Sequence, residues 1–183
     1  DEGTWKESRA LGISLGMKPE TMPHGIVRMP DGTFLVTPLD KTEQQGITLE
    51  GWADRTVGDD DSNPLPKFVG SKITGSGTFQ DRMYLYADEY LQFSKTALYW
   101  DLFVSSVAAT GDDDGFYTPC ASDQVQTILH TVAANRNLII FTNQCQFVIN
   151  GSEAITPTLS VPTMSTAFTG DFVTAPVPNG NLV

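Results

Sequence analysis

Apolar and polar positions alternate in short runs along this chain, and clusters of Gly, Pro, Asn and Asp interrupt the runs every few residues. Val, Ile, Thr, Phe and Tyr, which fit a pleated and half-buried surface, are frequent within the runs. Helical periodicity is scarce. The pattern predicts an all-β, mainly antiparallel fold, built as propeller-like blades or a β-sandwich portion with one short helix.

Two hairpins stand out. His24-Gly25-Ile26-Val27-Arg28-Met29 and Thr33-Phe34-Leu35-Val36-Thr37 flank Pro30-Asp31-Gly32, and Asp-Gly favours the positive φ angles of tight turns. Leu138-Ile139-Ile140-Phe141-Thr142 faces Cys145-Gln146-Phe147-Val148-Ile149 across Asn143-Gln144. The first arm is almost wholly apolar, as in a strand buried on both faces. The second alternates, with Cys145, Phe147 and Ile149 on one face. Further strands are expected at 72–79, 83–87 and 90–94, with Asp88-Glu89 turning between the last two. Leu98, Tyr99, Leu102 and Phe103 fall at helical spacing and place the short helix or helical turn within Lys95–Phe103. The 125–132 segment suits either a helix or an outer strand, and its β-branched content favours the strand. Strand clusters at about 72–94 and 125–149 have the form of two diverged successive blades.

The stretch from Asp40 to Lys67 is polar and broken by Gly and Pro, which makes it the candidate boundary. Residues 1–66 are then a β-hairpin region plus a long polar connecting loop, and residues 67–183 a propeller-like β domain truncated at its C-terminal end. The chain starts at Asp1-Glu2-Gly3-Thr4-Trp5 with no initiator Met and no signal-peptide pattern. It stops where Pro178-Asn179-Gly180-Asn181 turns into Leu182-Val183. Both ends read as those of a fragment of a longer protein.

With 183 residues and 40% hydrophobic positions the chain can bury a core. Eleven Lys and Arg against 22 Asp and Glu give a formal charge of -11, which argues against tight nucleic-acid binding. It remains compatible with a conduit, because an acidic wall repels phosphates and lets DNA slide. No apolar run reaches the roughly 18 residues of a membrane span. Two cysteines, Cys120 and Cys145, are too few for a disulfide scaffold or an ordinary zinc site; free thiols are favoured over a single bridge.

The conspicuous polar motif is Gly58-Asp59-Asp60-Asp61-Ser62-Asn63-Pro64. Asp59, Asp61 and Asn63 have the first ligand spacings of a calcium loop, but Pro64 stands where the sharp turn wants Gly, and Gly70 where a bidentate Glu should sit. A hydrogen-bonded Asx-type turn closed by Pro64 explains the motif better. Asp112-Asp113-Asp114, between Gly111 and Gly115, is a second acidic run; adjacent carboxylates on a loop tip face water or a neighbour rather than bracket a scissile bond. His24 and His130 have no nucleophile elbow to serve. Gly75-Ser76-Gly77 lacks the third glycine of a dinucleotide fingerprint and fits a close backbone approach. Trp5, Trp52, Tyr84, Tyr86, Tyr99, Trp100, Phe103, Phe141 and Phe147 could form a sugar platform, but at strand spacing such aromatics are more often core. No cofactor, metal site or catalytic residue is indicated.

The order of motifs is more specific than any one of them. Trp5-Lys6-Glu7, Thr21-Met22-Pro23-His24, Val27-Arg28 and Asp31-Gly32-Thr33-Phe34 resemble the opening of the central region of tail nozzle proteins (tail tubular protein B) of short-tailed bacteriophages, the podoviruses. Trp52, Arg55, the Gly58–Pro64 motif, Pro66 and Phe68-Val69-Gly70 are similar to that family's most recognisable stretch. Asp81-Arg82-Met83 resembles its Asn-Arg-Leu, Phe93-Ser94-Lys95 its Phe-Ser-Arg, and Phe141 to Ile149 its Phe-Ser-Asp-x-x-Gln-Phe-Val-Leu. Tyr99–Phe103, Asp112–Asp114, Thr156-Pro157 and Ser165–Phe168 follow at similar spacing. Residues 10–20 match poorly, and Asp114-Gly115-Phe116-Tyr117 replaces the family's Asp-Pro-Ile-Asp.

The resemblance implies a structural virion protein of the phage tail, assembled in the bacterial cytoplasm, and not an enzyme. It implies a hexameric ring with a lumen for DNA, docking of adaptor and tail fibre proteins, and a propeller-like domain inside a longer polypeptide. On this view Asp59, Asp60, Asp61, Ser62, Asn63 and Pro64 with Asp112, Asp113 and Asp114 are interface or structural loops. The competing classes are a phage tail carbohydrate-binding or polysaccharide-degrading protein, and an unrelated β scaffold with a protein partner.

Overall fold

The structure is a computed structural model that describes residues 3–44, 46–169 and 174–179. The turn expected at Pro178–Asn181 runs into residues outside the described set, as do Asp1 and Glu2. Strands β1 (Gly25–Arg28) and β2 (Phe34–Thr37) pair as the first hairpin, with Ile26 opposite Val36 and Arg28 opposite Phe34. Gly32 takes φ 87° in its turn, and the Gly32 and Met29 amides bond to the carbonyls of Met29 and Thr33. The polar 40–67 stretch contains a second, two-residue-per-arm hairpin, β3 (Glu43–Gln44) and β4 (Ile47–Thr48). It also buries Leu49, Trp52, Arg55, Val57 and Asn63.

The remainder is two four-stranded antiparallel sheets. The first orders β5 (Gly75–Phe79), β6 (Arg82–Ala87), β7 (Tyr90–Phe93) and β8 (Phe116–Pro119) in sequence. The second runs β12 (Thr163–Thr166), β11 (Gln146–Asn150), β10 (Asn137–Thr142) and β9 (Ile128–Ala134) across the sheet. The fold is therefore all-β and antiparallel, with no closed barrel among the described residues. Gln80-Asp81 and Asn135-Arg136 turn β5 into β6 and β9 into β10 with both residues at positive φ, as two-residue hairpins of right-handed twist demand.

One core joins the two sheets: Phe79, Tyr84, Leu91, Phe93 and Phe116 of the first meet Ile128, Leu138, Ile140, Phe147 and Ile149 of the second. Tyr84 and Tyr86 lie across Gly77 and Gly75, where any Cβ would strike the rings. The Tyr84 hydroxyl then reaches Thr131 Oγ1 on β9 at 2.9 Å. Gln80, held in its turn, donates to the Gly151 carbonyl and accepts from the Ile155 amide, fastening the first sheet to the loop after β11. A second core lies on the opposite face of β6, where Leu85 and Ala87 pack with Met22, Leu39, Trp52, Phe68 and Leu102.

β6 is thus covered on both faces, and on β7 Leu91, Gln92 and Phe93 are all buried as well. On β10, by contrast, Leu138, Ile140 and Thr142 are buried while Ile139 and Phe141 are only half-buried. The helix expected within Lys95–Phe103 is absent. Two successive turns stand there, with the Leu98 amide on the Lys95 carbonyl and the Asp101 amide on that of Leu98. Ala97 is left-handed at φ 60°, and the Thr96 and Ala97 amides donate to the distant carbonyls of Asp113 and Asp81 instead of continuing a helix. An Lys95–Asp101 ion pair of 2.8 Å closes the segment. Among the described residues the helical content is the 3-10 turn Pro19–Thr21. The 125–132 segment is an outer strand, starting at Ile128.

Candidate functional site

The two acidic motifs each fold around a buried arginine. Arg55 is fully buried behind the first. Its Nη1 donates to the Asp59 carbonyl (3.2 Å), the Asn63 carbonyl (2.8 Å) and the Asp60 carboxylate (2.8 Å), and Nη2 to the Ser14 carbonyl (2.6 Å). Asp59 Oδ1 accepts from the Ser62 hydroxyl and from the amides of Ser62 and Asp61, which is the expected Asx-type turn. Those bonds, led by the Ser62 hydroxyl, hold the Asp59 carboxyl below its ordinary range. Asn63 is buried and bridges: its amide donates to the Val57 carbonyl (3.0 Å) and its oxygen accepts the Val104 amide (3.3 Å).

Arg82 does the same for the second motif. It donates to the carbonyls of Ser94 (2.6 Å), Asp114 (2.7 Å) and Asp112, and the Phe116 ring lies 5.4 Å from its guanidinium carbon. Burial draws its pKa down, opposed by the charges of Asp113, Asp114 and Asp112. Asp112 and Asp113 are exposed, as a solvated loop tip requires. Asp114 is not: it is buried, and its two oxygens accept the Ser105 amide (2.7 Å) and the Gly111 amide (2.8 Å). Its carboxylate shapes the loop from within and does not face outward with the other two.

The Asn63–Val104 bond brings the loops side by side. Between them opens a cleft of about 250 Å³ walled by Asp61, Asn63, Leu65, Val104 and Phe116, with Gln92 among its lining. The carboxylates do not converge on a metal: among the described residues no group of three or more His, Cys, Asp or Glu is placed to hold one.

Nothing here resembles a reactive centre. Cys120 and Cys145 are free and buried, and burial, followed by Cys145 and Glu89, pushes the Cys120 thiol up to about 12. His24 Nδ1 lies 2.9 Å from the Met22 carbonyl. Of the nine aromatics, Trp52, Tyr84, Tyr86, Phe103 and Phe147 are core, Trp100 and Phe141 half-buried, and Trp5 and Tyr99 exposed. They do not share a platform. No helix of the described residues is long and apolar enough to cross a membrane.

The acid runs are conspicuous in the sequence, and the arginines that anchor them are not. Arg55 and Arg82 stand out only as parts of the family pattern; the usable signal is an arginine four residues before Asp59 in an otherwise acidic stretch.

Stacked antiparallel meanders with tied-down loops define a β module. The model of the bacteriophage nozzle protein family matches residues 1–183, and the chain belongs to that family. Tail tubular protein gp12 of Escherichia phage T7 is 30% identical over 152 residues, which cover 83% of this chain and 18% of that protein. The chain thus spans under a fifth of the length of that relative. Family membership makes it part of a phage tail structural protein, a component of the virion and not an enzyme.

Proposed function

We propose that this chain is a blade-bearing segment of a nozzle subunit, which assembles with copies of itself as a hexameric ring around the channel by which the genome leaves the particle. The observation that carries this is the succession of two four-stranded meanders, each covering its apolar face with the next through one shared core. Blade architectures are built in that way, and such stiff repeats suit a conduit wall. The outward carboxylates Asp60, Asp61, Asp112 and Asp113, in a chain of charge -11, favour passage of DNA without specific binding. Loops at the ends of the sheets supply surfaces for adaptor and tail fibre proteins.

Electron cryo-microscopy of the particle, with this segment tagged in the full-length parent, tests the proposal. Sixfold tagged density around the tail axis is expected. Tagged density on the capsid shell, or in a single peripheral copy, would sink it.

A further inference from the structure

Three buried polar atoms lack a partner among the described residues: Trp52 Nε1, Arg55 Nε and Gln92 Oε1. Of these residues, Gln92 lines the cleft between the acidic loops. It is 4% exposed, and its Nε2 is ringed by the carbonyls of Phe93, Leu102 and Phe116 at 3.1–3.4 Å. Those carbonyls fix which way the amide points, since a flipped amide would set oxygen against oxygen. Its oxygen is therefore a committed acceptor with no donor. Asp61, at the rim, is exposed, and its carboxylate makes no hydrogen bond among the described residues. Leu65, Val104 and Phe116 supply apolar walls. A buried acceptor and an exposed carboxylate lining one cleft with apolar walls suit a cationic side chain, and a guanidinium best, because its fork can donate to two oxygens.

A matching surface exists on the same chain. The outer face of the β1–β2 hairpin carries Ile26, Phe34 and Val36 at 71%, 69% and 64% exposure, with Arg28 set directly opposite Phe34. Arg28 makes no ion pair among the described residues. One cation framed by three exposed apolar side chains is the composition of an interface anchor and its surround.

We infer that the cleft between the two acidic loops receives Arg28 from the β1–β2 hairpin of a second copy, its guanidinium on Gln92 Oε1 and Asp61. Hairpin and cleft are different surfaces, so the contact is head-to-tail and repeats around a closed ring. This deepens the ring proposal and rests on it.

The test has two arms on the 183-residue chain. In the first, agmatine, a guanidinium on an aliphatic stem, is titrated while the Gln92 side-chain NH2 signal is followed by NMR. Saturable movement confined to the cleft, weakened in D61N and not in D31N, is expected. Unsaturable drift spread over all acidic loops, or no movement, overturns the site. In the second, sedimentation compares the wild type with R28E, D61K and the double reversal, all at exposed positions, with folding checked by their amide spectra. Each single reversal should weaken self-association by roughly tenfold or more, and the double should restore part of it, since the charge pair re-forms while the Gln92 oxygen stays without a donor. Equal association in all four, or a wild type still monomeric at about 1 mM, overturns the second-copy contact. Particles whose parent carries either single reversal and that still build a normal ring would refute the contact alone; a tail without any ring of this protein refutes the nozzle proposal instead.

Discussion

Replacing Arg82 by Met asks how much of the fold hangs on one guanidinium. The substitution keeps most of the stem but removes the donors to the carbonyls of Ser94, Asp112 and Asp114. Each hydrogen bond to a charged donor is worth about 1.5–3 kcal/mol, so the gross loss is large. Against it stands relief of the burial of a side chain only 1% exposed, a desolvation penalty of several kcal/mol. Three carbonyls are left without this donor, at about 1–3 kcal/mol each before relaxation, and about 4 kcal/mol net is expected here. With an m-value of about 2 kcal/mol/M for a chain of this size, the urea midpoint should fall by about 2 M. Fluorescence of Trp52 and Trp100, whose rings meet edge to face at 5.3 Å in and beside the second core, reports the transition. Arg82→Lys should recover less than half of the loss, because one ammonium cannot span three separated carbonyls. Asp113→Asn, on the exposed tip of the same loop, should stay within about 0.5 kcal/mol of wild type. If Arg82→Met shifts the midpoint no more than Asp113→Asn, the guanidinium does not anchor this loop.

Other consequences are open to test. Gly151→Ala should cost about 1–3 kcal/mol, because a Cβ there meets the Arg136 carbonyl and the Phe79 ring at the junction of the sheets; thermal melting reads this out. Neither cysteine should react with Ellman's reagent in the native chain, whereas both should in urea, since both are buried and the Cys120 thiol stands at about 12; rapid native labelling would contradict the packing. The carboxyls of Asp31, Asp40 and Asp59 are held low, chiefly by hydroxyl bonds from Thr33, Thr42 and Ser62. Their folded pKa values lie below the unfolded ones, so their contribution is complete above the unfolded value of about 4 and is lost as pH falls through the folded values. The urea midpoint should drop on acidification across that window, and less steeply in the D31N/D40N/D59N triple variant; equal slopes would count against these turns.

What could be read from the chain was whatever repeats locally. Asp31-Gly32 announces its hairpin because the turn needs a residue tolerant of positive φ, and Gly32 takes φ 87°. Phe147 and Ile149 announce their buried face because a strand alternates, and both are buried. The Lys95–Phe103 segment fails for the complementary reason: Leu102 and Phe103 are buried while Leu98 and Tyr99 are exposed, and the backbone is set by carbonyls of Asp81 and Asp113 from elsewhere in the chain. The acidic runs mislead in a related way. Carboxylates are conspicuous in a sequence, yet five of the seven bonds that Arg55 and Arg82 make run to backbone carbonyls within those loops or the strand end beside them, one more to the Ser14 carbonyl, and a single one to a carboxylate, that of Asp60. A carbonyl leaves no mark on the sequence. Asp114, indistinguishable by type from Asp112 and Asp113, turns inward because the Ser105 and Gly111 amides need an acceptor there. Which member of an acidic run shapes the loop and which faces outward is decided by main-chain demand, and that is settled only once the sheets have brought the loops together.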